Sequence, residues 1–215
     1  MLSFTDESDR MLVVLPHLDD EVHCAGLIFD AVRNGVKVFV VGLSACEESL
    51  PRGYDRSVIV EEFRQSCELL GVEEHISCKM KVRNFPENRQ EILNIIRTQV
   101  NYFKPTVVLC PASTDNHQDH KVVYEEVTRL CKSQVVVGYI HVPNMREIRP
   151  NVLVRITTDA MKTKVGCWQR YRSQNEKSGI IDSAFLITSC EYWGRIAGAE
   201  YAEPYEWIGG VSYAV

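Results

Sequence analysis

The chain has 215 residues, of which 45% are hydrophobic and 25% charged, with a formal net charge of −5. That length suits one domain with a core of useful size. The acidic balance and the lack of a basic patch give nucleic-acid binding no electrostatic support. No apolar run approaches the ~18 residues of a membrane span.

The opening "MLSFTDESDR" is acidic and polar, without the basic and apolar regions of a secretory leader. Residues 11–15, all apolar, read as a first strand. A helix is expected over 20–33, with Cys24, Leu27, Ile28 and Ala31 at helical spacing and Gly35 just beyond. The run "VKVFVVGL" (36–43) is continuously apolar and β-branched, as a strand covered on both faces should be. A polar loop follows. Ile59, Phe63, Cys67 and Leu70 then mark a second helix closed by Gly71.

Between 76 and 82, Ile76, Cys78, Met80 and Val82 alternate with polar residues, predicting a half-exposed strand near an edge. A third helix is expected over 87–103, ending at Lys104-Pro105. Residues 106–111 form another buried strand. A fourth helix follows "HQDH", and 134–140 is a fifth strand. Strands alternating with helices predict βαβ units and a right-handed, mostly parallel sheet with helices on both faces, an α/β Rossmann-like architecture. After Ile140 the pattern loosens into a strand at 152–156, a helix holding Met161, Val165 and Trp168, and an aromatic end. The whole of 1–215 reads as one domain, with about 146–215 a C-terminal cap upon it.

Two polar clusters stand out. "PHLDDE" follows the first strand and "DNHQDH" follows the strand at 106–111. In parallel α/β sheets, ligands bind beyond the carboxyl ends of strands, so both clusters fall on one rim. His17, Asp20 and His120 can converge there as a two-histidine, one-carboxylate set that leaves a position for water. A helix cap alone would account for His17 and Asp20; a second cluster of histidine and acid on the same rim favours the metal. Asp19 is then a general base beside metal-bound water. His117 is an acid or oxyanion stabiliser. Asp119 either orients an imidazole or caps the helix. Arg56, Arg83, Arg89 and Asp115 are candidate substrate contacts, and His141 can line the pocket. Trp193, Tyr201, Tyr205 and Trp207 suit either core packing or an aromatic wall. The eight cysteines include no CxxC pair and read as buried, reduced thiols of a cytoplasmic protein.

"PHLDDE" with "HQDH" resembles the LmbE-like, or PIG-L, zinc N-deacetylases, whose patterns are P-H-x-D-D-E and H-x-D-H. "LLGV" (69–72), "RYRSQ" (170–174) and "GAEYAEPYEW" (198–207) resemble later segments of the family. The resemblance implies a zinc-dependent enzyme, with ferrous iron as the alternative metal. It implies ligation by His17, Asp20 and His120, Asp19 as base, and an N-acetylated, GlcNAc-type amino sugar or its conjugate as substrate. Leu18 replaces a commoner proline. Ile59 stands where the family often has an arginine three residues before the glutamate matched by Glu62. The expected partner is a small-molecule amino sugar, with no nucleic acid and no membrane span; a homo-oligomer stays open. Two other readings fit the same residues: a non-haem Fe(II) oxygenase, which uses two His and a carboxylate, and a metal- or sugar-binding protein without catalysis.

Overall fold

The computed structural model describes residues 9–176 and 180–210. Residues 1–8, most of the acidic opening segment, lie outside them. Five parallel strands form the centre of the sheet: β1 (Arg10–His17), β2 (Lys37–Ser44), β3 (Glu74–Ser77), β4 (Val107–Pro111) and β5 (Val135–Tyr139). Two more strands, β6 (Val152–Ile156) and β7 (Tyr201–Gly209), complete a seven-stranded sheet in the order β3-β2-β1-β4-β5-β7-β6. β7 runs antiparallel to both its neighbours.

Alternation along β1 divides the core. Met11, Val13 and Leu15 enter a cluster with α1 (Ala25–Arg33), α2 (Val58–Leu70), α5 (Thr158–Arg170) and α7 (Ser183–Ala197). Leu12 and Val14 point oppositely, onto α3 (Arg89–Phe103) and α4 (Gln118–Leu130). A strand buried on both faces has no polar alternation, which is why β1, β2 and β4 read as solid apolar runs. α2 ends on Gly71 in the left-handed region, at φ 75°, where a glycine carries no Cβ penalty. α6 (Arg172–Asn175) is a single short turn.

Three expectations are corrected. The helix after β1 begins as a 3₁₀ turn, Asp20–Cys24, before α1. Asp20 is turned back there, its Oδ2 accepting the His17 backbone N–H at 2.9 Å. The strand expected over 76–82 is only β3, Glu74–Ser77. Met80 and Val82 are buried as the alternation implied, but the chain there is a loop held to the end of β2 by isolated bonds, Cys78 N–H to Gly42 O and Met80 N–H to Leu43 O. The third helix starts at Arg89 after a 3₁₀ turn at Pro86–Asn88. The segment read as a cap supplies β6 and β7 to the sheet edge and packs α5 and α7 against α1 and α2.

β1 and β4 are neighbours, yet their crossovers leave in opposite directions, to β2 on one side and β5 on the other. The sheet's switch point therefore lies at their carboxyl ends, directly under "PHLDDE" and "DNHQDH".

Candidate metal and active site

β1 ends at His17 and β4 at Pro111, and α4 begins at Gln118, so the two loops deliver His17, Asp20 and His120 to one point. His17 Nδ1 lies 3.5 Å from Asp20 Oδ2. His120 Nε2 lies 3.3 Å from the same oxygen and 3.3 Å from His17 Nδ1. Donors about 2.0–2.1 Å from a tetrahedral ion stand roughly 3.4 Å apart, so this triangle has the right size for zinc.

The remaining ring nitrogens are fixed by carboxylates. His17 Nε2 is 3.1 Å from Asp119 Oδ2, and His120 Nδ1 is 2.8 Å from Asp115 Oδ2. Such carboxylate–imidazole pairs orient metal-binding histidines and raise their basicity. All four aspartates of the two loops thus have distinct places. Asp20 is in the triangle, Asp115 and Asp119 hold the imidazoles, and Asp19 lines both cavities that open over the triangle. Glu21 is buried away from them, its Oε1 2.6 Å from the hydroxyls of Ser66 and Tyr171.

Other donor sets come close. One donor each from His17, His117 and His120 lie within 4.8 Å of one another, as do those of Asp20, His120 and His141. His117 caps α4, its Nδ1 accepting the Asp119 N–H at 3.2 Å. His141 Nδ1 is 2.8 Å from Asn144 Nδ2 and 3.9 Å from Asp20 Oδ1.

The charges are tightly coupled. Burial would raise the Asp20 carboxyl pKa, but His120 and His17 hold it well below the ordinary carboxylate range. Burial would lower that of His120, yet Asp20 and Asp115 lift it to about 10. His117 moves the other way, to about 4, through burial and the neighbouring His120 and His17.

The larger cavity, about 490 Å³, is lined by His17, Asp19, Ser49, Arg83, His117 and His120, among others. The smaller, about 240 Å³, lies by Val22, His23, Trp168, Ile180 and Ile181. Asp19, His141, Asn144 and Gln174 line both.

Of the four candidate substrate contacts, Arg83 alone lines these cavities. Asp115 is buried against His120 instead, its Oδ2 2.8 Å from the ring Nδ1. Arg89 is drawn to the fully buried Glu126, with two contacts of 2.8 and 2.6 Å, since a buried carboxylate needs a cation. Arg56 is exposed on the loop before α2 and lines neither cavity. Tyr205 is buried, its hydroxyl donating to Glu203, and no residue of the supposed aromatic wall lines either cavity. Sequence reasoning did not find Asn144 and Gln174. Their one signal is position, Asn144 beyond the carboxyl end of β5 and Gln174 within "RYRSQ".

Residues 12–131, more than half the chain, match the PIG-L family, described as GlcNAc-PI de-N-acetylase. The chain belongs to the PIG-L family. Diacetylchitobiose deacetylase of Thermococcus kodakarensis is 24% identical over 236 aligned residues, covering 94% of this chain and 84% of that protein. The solved diacetylchitobiose deacetylase of Pyrococcus horikoshii superposes with a TM-score of 0.72 at 21% identity, over 96% of this chain and 86% of that one. The 4-carboxy-2-hydroxymuconate hydratase of Pseudomonas putida superposes with a TM-score of 0.77 at 17% identity, over 96% and 99%. A deacetylase and a hydratase on the same scaffold mean that this PIG-L chain's chemistry must be argued from its site, not its fold. Among the described residues no helix is long and apolar enough to cross a membrane.

Proposed function

We propose that the protein is a metal-dependent N-deacetylase that removes acetyl from an N-acetylated, GlcNAc-type amino sugar or its conjugate. The observation that carries this reading is the 3.3–3.5 Å triangle of His17, Asp20 and His120, with each imidazole backed by its own carboxylate. Zinc, or ferrous iron in its place, bound there supplies Lewis acidity to an amide carbonyl and acidifies a water.

The chain's own groups supply the rest. Asp19, at the wall common to both cavities, takes a proton from the attacking water. His117 accepts at Nδ1 from a backbone N–H, so its neutral ring carries the proton on Nε2. With a pKa near 4 that ring is neutral at pH 7, which makes it a hydrogen-bond donor to the developing oxyanion rather than a stored proton. The new C–O bond forms first, moving the carbonyl electron pair onto oxygen; as that oxyanion collapses the C–N bond breaks, and the proton held by Asp19 passes to the departing amine. Acetate and a free amino sugar result.

The family match and the chitobiose deacetylase relative support the amino-sugar class. The eight cysteines are all unbridged, which supports a reducing, cytoplasmic setting. The test is acetate release from free, nucleotide-linked and glycosidic N-acetylhexosamines, before and after chelation. Release that is lost with chelator and restored by zinc is expected, independent of oxygen. Full activity after exhaustive chelation, or no release from any of these sugars, contradicts the reading.

A further inference from the structure

Arg83 lies in the loop between β3 and α3 with a left-handed backbone, at φ 67°. A side chain bearing a Cβ is strained there, and such strain persists only where the surroundings hold it. Two bonds do so. The Arg83 N–H donates to Asp119 Oδ2 at 2.7 Å, and its carbonyl accepts from Gln118 Nε2 at 2.7 Å. Both partners belong to the first turn of α4, which also carries His120 and is capped by His117. The element that builds the catalytic wall therefore also sets where the arginine side chain leaves its backbone.

Among the described residues no carboxylate lies within 4.0 Å of the Arg83 guanidinium, which donates to Ser49 Oγ at 2.9 Å. Ser49 accepts this bond, which leaves its own O–H to donate. Arg83 and Ser49 line the same 490 Å³ cavity as Asp19, His117 and His120, and among the described residues Arg83 is the one Lys or Arg lining either cavity. Among the described lining residues Arg83 is thus the cationic side chain placed to receive an anion beside Asp19. Ile59 brings no such cation, being fully buried in the core.

We propose that Arg83, with Ser49, determines specificity by holding an oxyanion, phosphoryl or carboxylate, borne by the acetamido sugar. This rests on the deacetylase reading above. A guanidinium presents paired donors matched to two oxygens of one oxyanion, and an ammonium does not.

The experiment has two arms. Acetate release is measured with the metal-loaded enzyme on N-acetylglucosamine, its 1- and 6-phosphates, and N-acetylmuramic acid as the carboxylate. The wild type is compared with Arg83→Gln and Arg83→Lys. At least one anionic sugar should exceed the neutral one roughly tenfold to a hundredfold in kcat/KM, through KM. Which one does so separates phosphoryl from carboxylate. Arg83→Gln should bring that ratio to near one, and Arg83→Lys should keep only part of it.

In the second arm, calorimetry follows binding of the same sugars to Asp19→Asn, with and without Arg83→Gln. This arm does not depend on turnover. If no sugar releases acetate, the deacetylase reading fails, while a charge preference in binding that Arg83→Gln removes still upholds the anion site. Equal use and equal binding of neutral and anionic sugars, or a preference that survives Arg83→Gln, overturns the proposal.

Discussion

Asp115 Oδ2 sits 2.8 Å from His120 Nδ1, and this contact turns the opposite nitrogen of the ring toward His17 and Asp20. Asp119 does the same for His17 from the other side. Replacing Asp115 by asparagine keeps a hydrogen-bonding group but removes the charge. Zinc affinity should then fall about 10–100-fold, the usual effect of such outer partners. Competition against a chromogenic chelator measures it, and an unchanged affinity would deny Asp115 this role.

Metal uptake should expel a proton. In the metal-free protein, burial opposes a charged His120, but Asp20 and Asp115 outweigh it and set the pKa at about 10. A pKa raised in the folded state stabilises the metal-free protein fully below the unfolded value of about 6.5. That contribution is lost as pH rises through about 10. A cation competing for Nε2 must displace this proton, so apparent affinity should climb with pH across 6–8, by up to about tenfold per unit. Titration calorimetry in buffers of different ionisation enthalpy should count about one proton released at pH 7. Uptake without proton release contradicts the charge balance described.

The start of α1, just after the turn that carries Asp20, is tied down from below. Glu203 accepts the N–H groups of Gly26 at 3.0 Å and Leu27 at 2.9 Å, and the Tyr205 hydroxyl at 2.6 Å. Its charge is matched by Lys164, 2.5 Å away and equally buried, which also donates to the His23 carbonyl. Lys164→Met leaves that carboxylate without a counter-charge and should cost roughly 3–5 kcal/mol in denaturant unfolding. The double variant Lys164→Met/Glu203→Gln should recover part of this. A single variant within about 0.5 kcal/mol of wild type would contradict the assignment.

Much of the site was legible because its residues come in two short strand-end clusters, and a parallel sheet can only place those on one rim. The buried strands were legible for the same topological reason. What escaped depends on contacts distant in sequence. β7 inserts antiparallel between β5 and β6, and no local periodicity announces that pairing. Met80 and Val82 alternate like a strand because a loop lying across a core also buries every second residue. Arg89 looks like a pocket arginine until Glu126, 37 residues on, is seen buried beneath it.

Leu18, which stands where the family more often has proline, fits against a glycine. A Cβ at Gly42 would collide with the Leu18 side chain, and the Leu18 carbonyl accepts from the Tyr171 hydroxyl at 2.7 Å. Gly42→Ala should therefore destabilise by about 1–3 kcal/mol through overpacking. It should also lower kcat, because Leu18 directly precedes Asp19. Wild-type stability and turnover in that variant would show that the loop tolerates the shift.

The two adjacent aspartates give the most direct test of the central claim. Metal content and acetate release are measured together for Asp19→Asn and Asp20→Asn. Asp19→Asn should keep its zinc and lose about 10²–10⁴-fold in kcat with KM little changed. Asp20→Asn should lose zinc and activity together. Zinc retained by Asp20→Asn but lost from Asp19→Asn would reverse the two roles, and normal turnover by both would remove this loop from the active site.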